Sequence, residues 1–239
     1  SGSVSPEYAM SSKSTWLEQF DASSFAEETI YILGAGSVGS AVADALARIG
    51  IRKLRVYDPD RVAEHNVTNQ LYGMPHIGLP KSYALGEILG QQLGITIDGR
   101  EAEAGPETGL GRIVFMCLEP MQVRRRIWDA MKYNGATELL VEVRIMPDQG
   151  RVYTVNPQLP SDIVGWEANW YDDPPAPEPG HCGRSRTARP IVMEAAAKAV
   201  LQFMQWAAFQ AGQEEEPPAQ ELLFFVRPWR VYANRFGAE

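Results

Sequence analysis

Thr29-Ile30-Tyr31-Ile32-Leu33 is a short apolar, β-branched run that ends directly on Gly34, and this junction constrains the fold most. The glycines continue as Gly34-Ala35-Gly36-Ser37-Val38-Gly39, after which Ala41, Val42, Ala45, Leu46 and Ile49 recur at helical spacing up to Gly50. A strand, a glycine turn and a helix start bring backbone N–H groups and the positive end of a helix dipole to one point. That is an anion site. Arg52–Tyr57 predicts the next strand, and Asp58 stands 19 residues beyond Gly39. A carboxylate so placed accepts hydrogen bonds from ribose hydroxyls. The alternative gives the glycines a packing role only, but the glycine turn and the strand-end acid together favour a nucleotide.

The residues after Asp58 bear on which nucleotide. A dinucleotide oxidoreductase would continue with another strand–helix unit, whereas here Asp60, Glu64, Asn66, Asn69, Gln70 and Lys81 follow without a strand pattern. In the order Asp58, Asp60, Val62, Asn66, Gln70, Lys81, this run resembles the D-x-D-x-V-x-x-x-N-x-x-R-Q…K signature of the ThiF/MoeB/HesA family, the adenylyltransferases related to ubiquitin-activating enzymes. Ile113–Glu119 is similar to the family strand that ends in a metal-binding aspartate, and Arg124 falls where the family also has an arginine. The resemblance covers roughly residues 25 to 205. It implies ATP with Mg²⁺, and activation of the C-terminal carboxylate of a small ubiquitin-like or sulfur-carrier protein. Gly34, Gly36, Ser37, Val38, Gly39, Asp58, Asp60 and Asn69 would then contact the nucleotide. Lys81, Asn66, Gln70 and Glu119 would be catalytic, with Glu119 also the metal ligand.

Two positions depart from the family pattern. Asn69 stands where the family has arginine, and Glu119 where it has aspartate. The family also brings an arginine from a partner's N-terminal segment onto the phosphates, yet before Arg48 this chain has only Lys13 as a basic residue. Adenylation develops charge on the phosphates, and losing one preorganised stabiliser costs about 2 to 4 kcal/mol. These departures motivate a second reading, a nucleotide-binding pseudoenzyme that serves as an interaction platform. A third is an NAD-dependent oxidoreductase, which Asp58 permits but the Asn66–Lys81 run does not explain.

Composition narrows the classes. A chain of 239 residues suits one α/β unit with additions. Its net charge of −8 argues against a nucleic-acid surface, which needs a basic footprint. With no apolar run near 18 residues and no signal-peptide pattern, neither a membrane span nor export is expected, and the cytoplasm is the default. Two cysteines cannot build a four-thiolate zinc site. In Arg124-Arg125-Arg126, successive helical positions point three ways, so a solvated face with one site-facing arginine is expected.

Further along, residues 120–133 predict a helix with Val123, Ile127, Ala130 and Met131 inward, and Glu138–Val143 and Arg151–Val155 predict a hairpin through Pro147-Asp148-Gln149-Gly150. Residues 156–186 show no periodicity and read as a crossing loop. Pro190–Gly212 is a long helix whose expected core positions are Ile191, Met193, Ala195, Ala199, Val200, Phe203, Met204 and Ala207. Leu222–Val226 and Trp229–Tyr232 add C-terminal strands. Cys182 lies in the crossing loop beside His181 and Arg184, which would lower its pKa. By resemblance it is the candidate thioester-forming nucleophile. An inert cysteine is the competing reading, because adenylation needs none. Cys117 reads as a small core residue, and His65 and His76 as structural.

The expected architecture is α/β: a Rossmann-like, mostly parallel sheet with helices on both faces, a crossing loop and a short C-terminal β addition. Residues 1–24 form a tail and lead segment, 25–212 the nucleotide-binding domain, and 213–239 an acidic linker with strands packed on that domain. The family implies a homodimer.

Overall fold

The computed structural model describes residues 20–172 and 188–237. The expected first unit forms as β1 (Ile30–Leu33), α1 (Ser37–Arg48) and β2 (Lys53–Tyr57). Helix α2 (Lys81–Leu93) and strand β3 (Thr96–Arg100) follow, and then β4 (Ile113–Met116) and α3 (Met121–Met131). The hairpin is β5 (Leu139–Ile145) with β6 (Gln149–Val155). Helices α4 (Pro160–Ala168) and α5 (Arg189–Gln210) precede the strands β7 (Glu221–Val226) and β8 (Trp229–Asn234).

All eight strands join one sheet in the order β3-β2-β1-β4-β5-β6-β7-β8. The pairs from β3 through β5 are parallel, and those from β5 to β8 antiparallel. The sheet is therefore mostly parallel, with the C-terminal strands as its antiparallel extension. Alternation along β1 sorts its two faces. Ile30 and Ile32 face a core shared with α1, α2 and α5, through Val42, Leu85, Ala199 and Phe203. Tyr31 and Leu33 face a smaller core with α3 and α4, through Trp128 and Trp166. Helices thus cover both faces, as parallel strands require.

Several elements differ from the sequence expectation. Helix α4 lies inside the stretch read as aperiodic; its Pro160 sits in the first turn, and Trp166 stacks on Trp128 with ring centroids 4.2 Å apart. The β4 strand stops at Met116, so Glu119 stands beyond it on exposed chain. Met193 is exposed rather than in the core, because it turns away from the sheet on α5. The α2–β3 unit carries weak signals: two glycines interrupt the helix, and the edge strand Thr-Ile-Asp-Gly-Arg is polar. Those glycines serve packing, since a side chain at Gly86 would meet Ile97 and one at Gly90 the Ile95 carbonyl. Among the described residues no helix is long and apolar enough to cross a membrane.

Candidate functional site

Three parallel strands end side by side at β2, β1 and β4, and the chain leaves each on the same edge. At the end of β1, Gly34 adopts φ +89°, a conformation side chains rarely take. A Cβ at Gly39 would come within 1.8 Å of the Gly34 carbonyl oxygen, so the first turn of α1 folds hard against the strand end. Gly36 is different. It is the N-cap of α1, and a Cβ there would meet no atom of the described residues within 4 Å. The space in front of it is open to a group that approaches the helix N-terminus.

Asp58 ties this turn to the next segment. Its Oδ2 accepts from the Ala35 N–H at 2.6 Å and its Oδ1 from the Asp60 N–H at 2.8 Å. The residue is buried, and burial pushes its carboxyl above the ordinary 3.8, against the pull of Lys81 and of the two amides. Each oxygen keeps a further acceptor direction. The structural work of Asp58 was not visible in the sequence, where only a ligand contact was expected.

The segment from Asp60 to Lys81 folds back on itself. Val62 donates to the Leu79 carbonyl at 2.9 Å, Gly78 to that of Val62 at 2.8 Å, and Lys81 to that of Asp60 at 2.9 Å. This return brings Lys81 Nζ to within 2.7 Å of Asp60 Oδ2 although 21 residues separate them. Lys81 is buried while the Asp60 side chain is 66% exposed, so a covered cation is held by a carboxylate in water. Tyr72 closes the arrangement: its hydroxyl lies 2.6 Å from the Ala35 carbonyl and 3.2 Å from that of Lys81. Burial, then the charge of Asp58, raises the Tyr72 pKa, so it stays a neutral donor. No motif marked Tyr72; its place follows only from the return of the chain.

Asn66 is buried, and its Oδ1 accepts from the Ala63 N–H at 2.8 Å, which shapes the tight turn Glu64–Asn66. Gln70 has a buried Oε1 without a hydrogen-bond partner among the described residues. Asn69 contributes its backbone carbonyl to Arg189 Nη1 at 3.0 Å. Leu71 donates to Ser40 Oγ at 3.3 Å, so the segment 69–72 lies along the first turns of α1. His65 is exposed, and the His76 ring bonds locally to Gly73.

Glu119 is exposed just past β4. No group of three or more His, Cys, Asp or Glu fit to hold a metal occurs among the described residues. A single carboxylate is nonetheless compatible with Mg²⁺, which takes one or two carboxylates together with phosphate oxygens. Arg124 is buried. It turns inward, with Nη1 2.6 Å from the Glu142 Oε1, and Nη2 donating to the carbonyls of Val143 at 3.0 Å and of Leu118. Cys117 packs against the larger core, and burial pushes its thiol up to about 12. Cys182 and its neighbours lie outside the described residues.

Similar proteins match different extents of this chain. The chain is 40% identical over 63 residues to ubiquitin-like modifier-activating enzyme 5 of Caenorhabditis elegans, a match covering 26% of this chain and 15% of that protein. It is 37% identical over 68 residues to the tRNA threonylcarbamoyladenosine dehydratase of Escherichia coli, covering 28% and 25%. Such matches span at most a quarter of those relatives' lengths. In three dimensions, E. coli MccB solved with ATP superposes with a TM-score of 0.70 at 14% identity, over 91% of this chain and 66% of that one. PaaA superposes with a TM-score of 0.68 at 16% identity, over 92% and 66%. At such identities the likeness speaks for the fold. The ThiF family profile matches residues 19–228, from the segment before β1 to just beyond β7, and this protein belongs to the ThiF family.

Proposed function

We propose that this chain is a cytoplasmic, ATP-dependent adenylyltransferase that activates the C-terminal carboxylate of a small ubiquitin-like or sulfur-carrier protein. One observation carries the reading: Asp58 and Tyr72 bind the glycine turn to the Asp60–Lys81 segment, so the stretch that carries the buried Lys81 is tied to the turn that leads into the helix start at Gly36. Backbone N–H groups at a helix start and a fixed ammonium both suit a polyphosphate. Family membership and the fold shared with an ATP-bound neighbour support it.

In this reading Gly34, Gly36, Ser37, Val38 and Gly39 cradle the phosphates, and Asp58 uses its remaining acceptor directions for the ribose. Lys81, oriented by Asp60, stabilises charge on the phosphate tail, with Asn66, Asn69 and Gln70 beside it. Glu119 would hold Mg²⁺, which would supply charge neutralisation for the attack of the carrier's carboxylate on the α-phosphate and the departure of pyrophosphate. The protein works as a homodimer with a two-fold interface, and a monomer at tens of micromolar in light scattering would count against that. Whether Cys182 forms a thioester is a separate question, answered by trapping a hydroxylamine-sensitive adduct that disappears in Cys182→Ser.

The test is ATP–pyrophosphate exchange with the carrier that co-purifies from the native host. Carrier-dependent exchange, with ATP stabilising the fold more than NAD does, is expected. Equal stabilisation by NAD and ATP would sink the nucleotide assignment. Asn69 favours one competing reading, the ATP-binding pseudoenzyme, which predicts ATP binding but no exchange with that carrier.

A further inference from the structure

The cations of this acidic chain are almost all matched. Among the described residues, every lysine is ion-paired, and the arginines without a carboxylate are Arg52, Arg189, Arg227 and Arg230. Arg52, Arg227 and Arg230 are exposed, where water solvates them. Arg189 alone of the four is half-buried. A guanidinium partly screened from water, with no carboxylate beside it among the described residues, is a natural partner for an arriving anion.

The anchor of Arg189 says where that anion would be. Its Nη1 donates to the Asn69 carbonyl at 3.0 Å, across 120 residues of sequence. The remaining four of its five N–H donors have no partner among the described residues. Asn69 is followed by Leu71, bonded to Ser40 of α1, and by Tyr72, bonded to the Ala35 carbonyl of the glycine turn. A side chain from the start of α5 therefore reaches the segment that lies along the first turns of α1. The motif position that carries arginine in the family is the neutral Asn69 here, and its carbonyl holds an arginine delivered from elsewhere.

We infer that Arg189 is the second cation of the triphosphate site, contacting the β- and γ-phosphates from α5 as Lys81 does from α2. This rests on the nucleotide reading proposed above. Planar N–H donors suit phosphate oxygens bidentately, so a charge lost from one chain segment is restored from another.

Calorimetric titration with Mg·ATP and with AMP tests it. Arg189→Gln keeps an amide donor for the Asn69 carbonyl and removes the charge. It should weaken ATP about tenfold to a hundredfold, the range for hydrogen bonds to charged groups, and AMP less than about twofold. Arg189→Lys should recover part of the loss, and Asn69→Arg added to Arg189→Gln most of it. Equal losses for ATP and AMP, with a falling Tm, would make Arg189 a loop brace and overturn the inference. An unchanged ATP affinity in a folded Arg189→Gln would overturn it too, leaving the nucleotide reading intact. If the unmutated protein binds neither ligand, both readings fall. A measurement free of variants is phenylglyoxal labelling of the unmutated protein, read by mass spectrometry. Mg·ATP but not AMP should shield Arg189, and no shielding would again overturn the assignment.

Discussion

Two charged clusters sit about the strand ends of this protein, and they are built differently. Around Glu142, Oε1 accepts from Arg124 at 2.6 Å and Arg144 at 2.9 Å, while Oε2 accepts from Arg144 at 3.1 Å and from the Trp166 indole. Arg144 also packs against the rings of Tyr153, Trp166 and Tyr171, and donates to the Asn169 carbonyl. Both Glu142 oxygens are saturated by the protein itself, while the buried Arg124 Nε has no partner among the described residues. Around Lys81 the charges lie at the edge of water, Gln70 Oε1 has no partner, and Arg189 has no carboxylate among the described residues. A closed network of buried charges specifies packing, whereas an open one leaves valence for a ligand.

The largest effect should come from opening the closed cluster. Glu142→Ala would leave Arg124 and Arg144 buried without their carboxylate and should cost about 3–5 kcal/mol in denaturant unfolding. A loss below about 1 kcal/mol would mean that water enters this cluster, and the contrast would collapse.

The two glycines sharpen the comparison within the turn itself. Gly39→Ala, with its Cβ driven onto the Gly34 carbonyl, should lose at least about 2 kcal/mol of stability. Gly36→Ala meets nothing and should stay within about 1 kcal/mol, yet it fills the space a phosphate would use. Loss of ATP binding by Gly36→Ala at near-native stability would mark the open side; full retention would argue that no phosphate approaches there.

Lys81→Ala tests the open cluster through its chemistry. Pyrophosphate exchange should fall about 10²-fold or more, the scale for one preorganised charge stabiliser. Its unfolding free energy should change far less than that of Glu142→Ala, because the partner Asp60 is mostly in water. The opposite pattern, a fold lost and exchange retained, would exchange the roles of the two clusters.

The smallest effect is in acid. Burial opposes ionisation of Glu142, but Arg124 and Arg144 outweigh it and hold its carboxyl below the ordinary 4.5. The folded protein then binds fewer protons there than the unfolded chain, so this stability is present above 4.5 and drains as pH falls through the folded value. Asp58, raised above 3.8 by burial, has the reverse sign: its cost at neutral pH is relieved as it protonates. In unfolding curves between pH 7 and 3, Glu142→Gln should flatten the acid loss and Asp58→Asn should steepen it slightly. Equal slopes for the two variants would show that neither carboxyl is coupled to folding in this way.

Read as sequence alone, the chain determined its first strand, glycine turn and helix, its β5–β6 hairpin, its long C-terminal helix and the ordered polar residues from Asp58 to Lys81. Each depends on chemistry acting over a few residues: side-chain period, a glycine that permits positive φ, a turn. Elements with mixed local signals were missed, namely α4 within an aperiodic stretch, α2 with its two glycines, and the polar edge strand β3. Tertiary structure alone decided that Arg124 turns to Glu142, that Met193 faces water, that Asp58 spends both oxygens on backbone amides, and that Arg189 reaches Asn69. The pairings that cross elements join residues from 18 to 120 positions apart, and no local period records which distant group will satisfy a buried charge. That choice is made only when the layers close and each polar group must find a partner in the space left to it.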